Sequence, residues 1–330
     1  MPFSFRRRTV VVALTTVTIT VSAFAALREG PADFDPASDT QRIPPGETTV
    51  WDAPGRFEPP DGAGPSDGPG GPESIAPPTP EETGKPRTPS GGTTAAQRYG
   101  WGAPRAADEF NTTLDTKAWE VYDGPGHAGN GKRRPEAVTV KNGALRITGG
   151  PDGTTGGLGW HKGSQKLGRW EARLKLNRSC ACYNANMLLW PVGGGGGTAP
   201  KGGGGEIDYM ETYEDNGLRT GANFFLHYDQ KEGSEQKGRE GDSGRLDAHA
   251  KVDLTTWHTF AVEWTAKEIN GYLDGRRWFH TTRRDAQPPG PMGQAIQLDW
   301  IPGLTDTTAP GIDKKGKAVL QVDWIRMYGP

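Results

Sequence analysis

The sequence predicts an all-β protein, an antiparallel sandwich over residues 99–330 on a long extended tether. Three observations carry this. Runs of β-forming residues recur at short spacing between turn signals, as in sandwiches and barrels. No stretch sustains a helical period over three turns. Composition breaks near Tyr99: ten of eleven tryptophans lie beyond it, while residues 28–98 hold 15 Pro and 11 Gly in 71 positions.

The chain opens with Arg6-Arg7-Arg8, an apolar run from Thr9 to Phe24, and the small-x-small pattern Ala23-Phe24-Ala25. That order reads as an export signal over residues 1–25, with cleavage near Ala25. The alternative is an uncleaved anchor, since Thr9 to Leu27 could just span a tilted bilayer. Cleavage implies secretion without stable membrane association. Residues 26–98 lack the apolar side chains to offset the entropy of ordering, so they read as a disordered, semi-extended linker. The formal net charge of −2 gives no footprint for nucleic acid. The expected state is a monomer.

Within 99–330 the strands are expected at Ala137–Val140, Ala144–Thr148, Arg169–Leu176, Asn186–Trp190, Glu206–Tyr213, Ala222–Tyr228, Trp257–Trp264, Ile269–Leu273, Ile296–Trp300 and Val319–Tyr328. Asn142-Gly143 and Asp274-Gly275 are the dipeptides of tight hairpins. Trp264 and Trp324, at alternating strand positions, are assigned to the core. Cys180 and Cys182, two apart, would be at the upper limit of disulfide geometry in an extended strand. A bridge needs a local turn, and both a bridge and two free thiols remain open.

The stretch Gly205-Glu206-Ile207-Asp208-Tyr209-Met210-Glu211 concentrates three acids among β-formers. Side chains alternate along a strand, so Glu206 and Asp208 share a face. Glu211, five positions after Glu206, has the wrong parity. One extra residue near Tyr209-Met210, a β-bulge, restores it. Three carboxylates on one face repel each other, a cost that implies use. Upstream, Gly193–Gly197 and Gly202–Gly205 bracket Thr198-Ala199-Pro200-Lys201; GxxxxGK[ST] is absent, so this reads as a loop at the rim of the acid strand rather than a phosphate cradle. The six histidines show no HExxH and no i, i+4 pair, and no GxSxG elbow occurs.

The acid stretch resembles the E-x-D-x-x-E signature of glycoside hydrolase family 16, the laminarinase-like enzymes. The flanks agree in order over most of residues 106–328: Asp108-Glu109-Phe110, Val140–Leu145, Gly168–Arg173, Trp257–Trp264, Tyr272–Gly275 and Val322–Tyr328. Gln297–Pro302 resembles a variant found in exported actinobacterial members. The resemblance implies a β-jelly-roll of the concanavalin A-like lectin and glucanase type, whose concave face holds sugar. It implies Glu206 as nucleophile, Glu211 as acid/base and Asp208 as the helper between them. That matches what retaining glycoside hydrolysis needs: one carboxylate to attack and one carboxyl to give and retake a proton. No cofactor is required for this chemistry.

Flat aromatic faces suit the apolar C–H surfaces of sugars. Trp190, just before the glycine loop, is the first stacking candidate, Trp170 the second and Trp300 the third. His227 falls where the family often places a histidine beside the acid/base. A structural calcium on the convex side would take Asp323 as a ligand. The glycine loop departs from the family, whose members usually carry a Trp and polar residues there. The expected activity is that of an exported endo-β-glucanase on polysaccharide, with β-1,3-glucan favoured. The alternatives are a non-catalytic carbohydrate-binding module on the same scaffold and a structural cell-wall protein.

Overall fold

In a computed structural model of the chain, the residues described are 49–52, 93–192, 196, 204–228 and 244–330. The segment read as an export signal, most of the segment read as a linker and most of the glycine run lie outside them. Two sheets pack face to face. The first runs, edge to edge, Thr49–Asp52, Arg245–Lys251, Gly221–His227, Glu206–Glu211, Tyr183–Pro191, Met292–Trp300, Gly157–Gln165 and Trp119–Val121. The second runs Arg276–Thr281, Ile269–Leu273, His258–Trp264, Gly168–Leu176, Ala318–Tyr328, Leu145–Gly149 and Val138–Val140, with Ala106–Asp108 also paired to Ala318–Tyr328. Pairing within both sheets is antiparallel, except that Thr49–Asp52 lies parallel to Arg245–Lys251. The architecture is the expected antiparallel sandwich.

Period-two alternation builds its core. In Tyr183–Pro191, Ala185, Met187 and Leu189 enter the core between the sheets, as do Ile296 and Leu298 from Met292–Trp300. From the facing sheet come Leu174, Phe260, Val262 and Trp264. Each such large side chain, fully removed from water, contributes about 1.5–3 kcal/mol. Trp264 joins this core as its parity required. Trp324 is buried but stands outside it, under the Arg326 guanidinium at 4.1 Å, because the register shift opposite Arg173 and Leu174 turns Val322 and Ile325 inward instead.

The two hairpin dipeptides adopt the mirror-image turn that matches strand twist. Asn142 and Gly143 have φ of 56° and 68°, and Asp274 and Gly275 of 49° and 70°. At the cysteines, a turn closed by Tyr183 N–H donating to Cys180 O brings the Cα atoms to 5.1 Å, and the Cys180–Cys182 disulfide forms.

Two pieces fall inside the segment read as linker. One is the strand Thr49–Asp52. The other is the short helix Ala95–Tyr99, capped by Thr94 and Gln97 in a reciprocal capping box. The buried Glu171 carboxylate accepts from Ala95 N–H at 2.6 Å. The packed domain therefore begins at least at Thr94, ahead of the boundary that composition placed at Tyr99. The sequence signal was present as Thr94-x-x-Gln97.

Candidate active site

The acid strand Glu206–Glu211 lies between Tyr183–Pro191 and Gly221–His227. Toward Tyr183–Pro191 the register jumps from Leu188↔Asp208 to Met187↔Met210, leaving Tyr209 as the extra residue. Toward Gly221–His227 it jumps from Asp208↔Phe225 to Glu211↔Asn223. This is the bulge that the parity argument required. Tyr209 and Met210 consecutively enter the core, and Tyr209 donates its hydroxyl to Gln294 Oε1 at 2.9 Å. Glu211 is thereby returned to the face of Glu206 and Asp208.

The three acids line one pocket with His127, Asn186, Leu188, His227, Gln297 and Asp299. Asn186 stands in register between Glu211 and Gln297, so the pocket floor crosses three adjacent strands. His227 Nε2 lies 3.4 Å from Asp208 Oδ2. Asn184 donates to Glu211 Oε1 at 2.5 Å. At the far wall, buried Arg133 pairs with Asp299 at 2.6 Å and also bonds Gln297. His127 Nδ1 lies 3.8 Å from the other Asp299 oxygen.

Asp208 and Asp299 crowd Glu206 and Glu211 in one pocket. Burial, then the charges of Asp208, Glu211 and Asp299, push the Glu206 carboxyl well above its ordinary range. Burial and Asp208 likewise push Glu211 up; the Asn184 N–H opposes this, Asp299 adds to it, and Arg245 opposes it. Glu206 and Glu211 therefore titrate as parts of one interacting group. Such an arrangement holds a proton in the pocket to higher pH than a free carboxyl would, as a general acid needs. Glu206, Asp208 and His227 also offer ligand atoms within 4.8 Å of one another, so these are the residues that could hold a cation.

Among the aromatic candidates, Trp190 shares the pocket face of Asn186 and Leu188 by alternation and is half-buried. The glycine loop reaches it: a Cβ on Gly196 would lie 2.5 Å from the Trp190 ring. Glycine is what permits that approach. Trp170 requires correction. It is fully buried in the core, with Nε1 donating to Gly163 O at 2.9 Å, so no sugar reaches it. Trp300 requires correction too. It has the opposite parity to Asp299 and packs against the core and the Gly131 and Gly153 backbones. Asp323 is a third correction, since its carboxylate pairs with Arg173 at 2.5 Å rather than standing open to calcium.

Sequence reasoning missed His127, Arg133, Asn184, Asn186, Gln297 and Asp299. Part of the signal was there. Asn184 and Asn186 alternate with Ala185 and Met187, and Gln297 and Asp299 flank Leu298, so each strand carries polar residues on one face and apolar on the other.

The site geometry can be set beside known proteins. The model for "Glycosyl hydrolases family 16" matches residues 130–326, more than half the chain. Comparison with curated proteins gives no match. Among solved structures, an endo-1,3-β-glucanase (laminarinase) catalytic domain from Thermotoga petrophila is similar at 19% identity and TM-score 0.54, over 68% of this chain and 97% of that one. A single-substitution variant of LamA from Zobellia galactanivorans, in complex with laminaritriose and laminaritetraose, is similar at 18% identity and TM-score 0.54, over 68% and 100%. The laminarinase from Rhodothermus marinus is similar at 21% identity and TM-score 0.54, over 68% and 96%. At these identities the structures speak for the fold, a two-sheet jelly-roll. With the family match spanning the bulged acid strand and both of its neighbours in the sheet, the chain belongs to glycosyl hydrolases family 16.

Proposed function

We propose that the chain is an exported, monomeric endo-glycosidase that cleaves β-linked glucan, foremost β-1,3-glucan, with retention of configuration. The observation that carries the reading is the bulge, which puts Glu206, Asp208 and Glu211 into one pocket. The likeness to laminarinases supports the choice of glucan, and the basic n-region with Ala23-Phe24-Ala25 supports export.

In the first step the Glu206 carboxylate attacks the anomeric carbon. The bond to the leaving oxygen breaks as Glu211 gives that oxygen its proton. In the second step Glu211, now a carboxylate, takes a proton from water, and the hydroxyl displaces Glu206. Asp208, with His227 beside it, lies in the pocket between the two and restrains the charge on Glu206. Trp190 at the rim stacks on a sugar ring.

The test is reducing-sugar release from laminarin, mixed-linkage glucan, agarose and carrageenan, with the Glu206→Gln and Glu211→Gln variants alongside. Release from laminarin that either substitution lowers by about 10²-fold or more is expected. Binding without release from any polysaccharide would favour the non-catalytic module instead. Release from the galactans alone would overturn the glucan assignment.

A further inference from the structure

We propose that Asn184 is a positioning residue for Glu211, holding one carboxyl oxygen so that the transferable proton resides on the other, Oε2. The proposal rests on the functional reading above, in which Glu211 is the acid/base.

The argument turns on which end of the Asn184 amide faces the acid. Asn184 is buried, and its Oδ1 accepts the Thr212 backbone N–H at 3.0 Å and the Thr212 hydroxyl at 3.2 Å. A backbone N–H can only donate, so Oδ1 must face Thr212. Nδ2, a donor only, is then directed at Glu211 Oε1, at 2.5 Å. A carboxyl's carbonyl oxygen accepts an N–H better than its hydroxyl oxygen does, so the Asn184 bond favours Oε1 as the carbonyl oxygen. When Glu211 is protonated, Oε2 is therefore the favoured seat of the proton. When Glu211 is ionised, Oε2 is the oxygen open to water.

The orientation is itself anchored. The Thr212 hydroxyl accepts from Ala185 N–H at 2.9 Å and from Arg219 Nη1 at 3.3 Å. Its own proton is therefore directed at Asn184. Arg219 is fully buried, pairs with Asp215, and donates to Ser179 Oγ and to the carbonyls of Cys180 and Tyr183. The Cys180–Cys182 turn, Arg219, Thr212 and Asn184 thus form one continuous hydrogen-bonded support ending at the acid.

The test compares laminarin with an aryl β-oligoglucoside carrying an activated phenolate, which needs little protonation on leaving. Asn184→Ala should lose at least about tenfold in kcat/KM on laminarin and much less on the aryl substrate. Its alkaline limb should move up, because the lost N–H favours the Glu211 carboxylate while burial, Asp208 and Asp299 disfavour it, Glu206 interacts with it across the pocket, and Arg245 remains. Thr212→Val should show the same split more weakly, and Thr212→Ser should restore the parent values. Should Asn184→Ala not fold, Asn184→Asp keeps the shape, turns an acceptor toward Glu211, and should give the same split with a larger upward shift. Equal losses on both substrates with an unmoved alkaline limb, in a folded variant, would overturn the proposal. A parent chain inactive on both substrates would overturn the functional reading itself and this inference with it.

Discussion

Deleting Met210 tests whether the bulge is what aims Glu211. The deletion leaves Glu206 and Glu211 four residues apart, a spacing that a regular strand already puts on one face. Tyr209 keeps its place facing the core, and the register with Met187 no longer has to jump. The cost is the buried methionine side chain, since Met210 has no exposure to solvent. Loss of a core Met to the equivalent of Ala costs about 2–5 kcal/mol. Against a domain stability of about 5–15 kcal/mol, the deletion variant should fold. Its melting temperature should drop by roughly 4–20 °C, at about 2–4 °C per kcal/mol for a domain of this size. Shifts of about 1 Å at the acids cost on the order of 10²-fold, so activity should be reduced but measurable. Inserting a glycine after Met210 does the reverse. With the bulge kept, Glu211 turns into the core, and hydrolysis should vanish even in folded protein. The assay is laminarin hydrolysis alongside thermal unfolding by circular dichroism. An insertion variant as active as the parent, beside a folded but dead deletion variant, would refute the parity reasoning.

Three further outcomes are expected. Arg219→Met removes a fully buried cation and leaves Asp215 buried without its partner. Breaking such a pair costs about 3–5 kcal/mol, read as a lower urea midpoint, and a change under about 1 kcal/mol would contradict it. Glu171 is pushed up to about 7 by burial, against the pull of the Ala95 and Ala96 N–H groups. A carboxyl with a raised folded pKa binds more protons than the unfolded chain between about pH 4.5 and 7, so its contribution is full below that window and lost as pH rises through it, about 3 kcal/mol in all. Glu171→Gln should flatten the stability–pH curve there; an unchanged slope would refute the assignment. Finally, Glu211→Gln should recover on substrates with good leaving groups while Glu206→Gln should not, and equal recovery of both would sink the division of roles.

What was legible in the sequence was local. The bulge followed from counting parity between Glu206 and Glu211, and the hairpins followed from Asn142-Gly143 and Asp274-Gly275. What failed was long-range. Alternation gives the two faces of Gly168–Leu176 but not which face meets the other sheet, and Trp170 turned out to point inward. Asp323 is claimed by Arg173, 150 residues away in the chain. The strand Gly157–Gln165 carries three glycines and four polar residues, and Arg245–Lys251 is charged along much of its length, so neither shows β-forming text. Both form because neighbouring strands supply the ladder. Asp299 became visible as a pocket residue only once Met292–Trp300 was placed beside Tyr183–Pro191.

The division of labour between Glu206 and Glu211 is tested most directly by trapping the intermediate. The Glu211→Gln variant, mixed with an activated aryl β-oligoglucoside, should form the glycosyl-enzyme readily and hydrolyse it slowly, because no base activates the water. Peptide mass spectrometry should then find one glycosyl adduct, on Glu206. An adduct on another residue, or rapid turnover releasing the α-anomer with no adduct, would contradict the account.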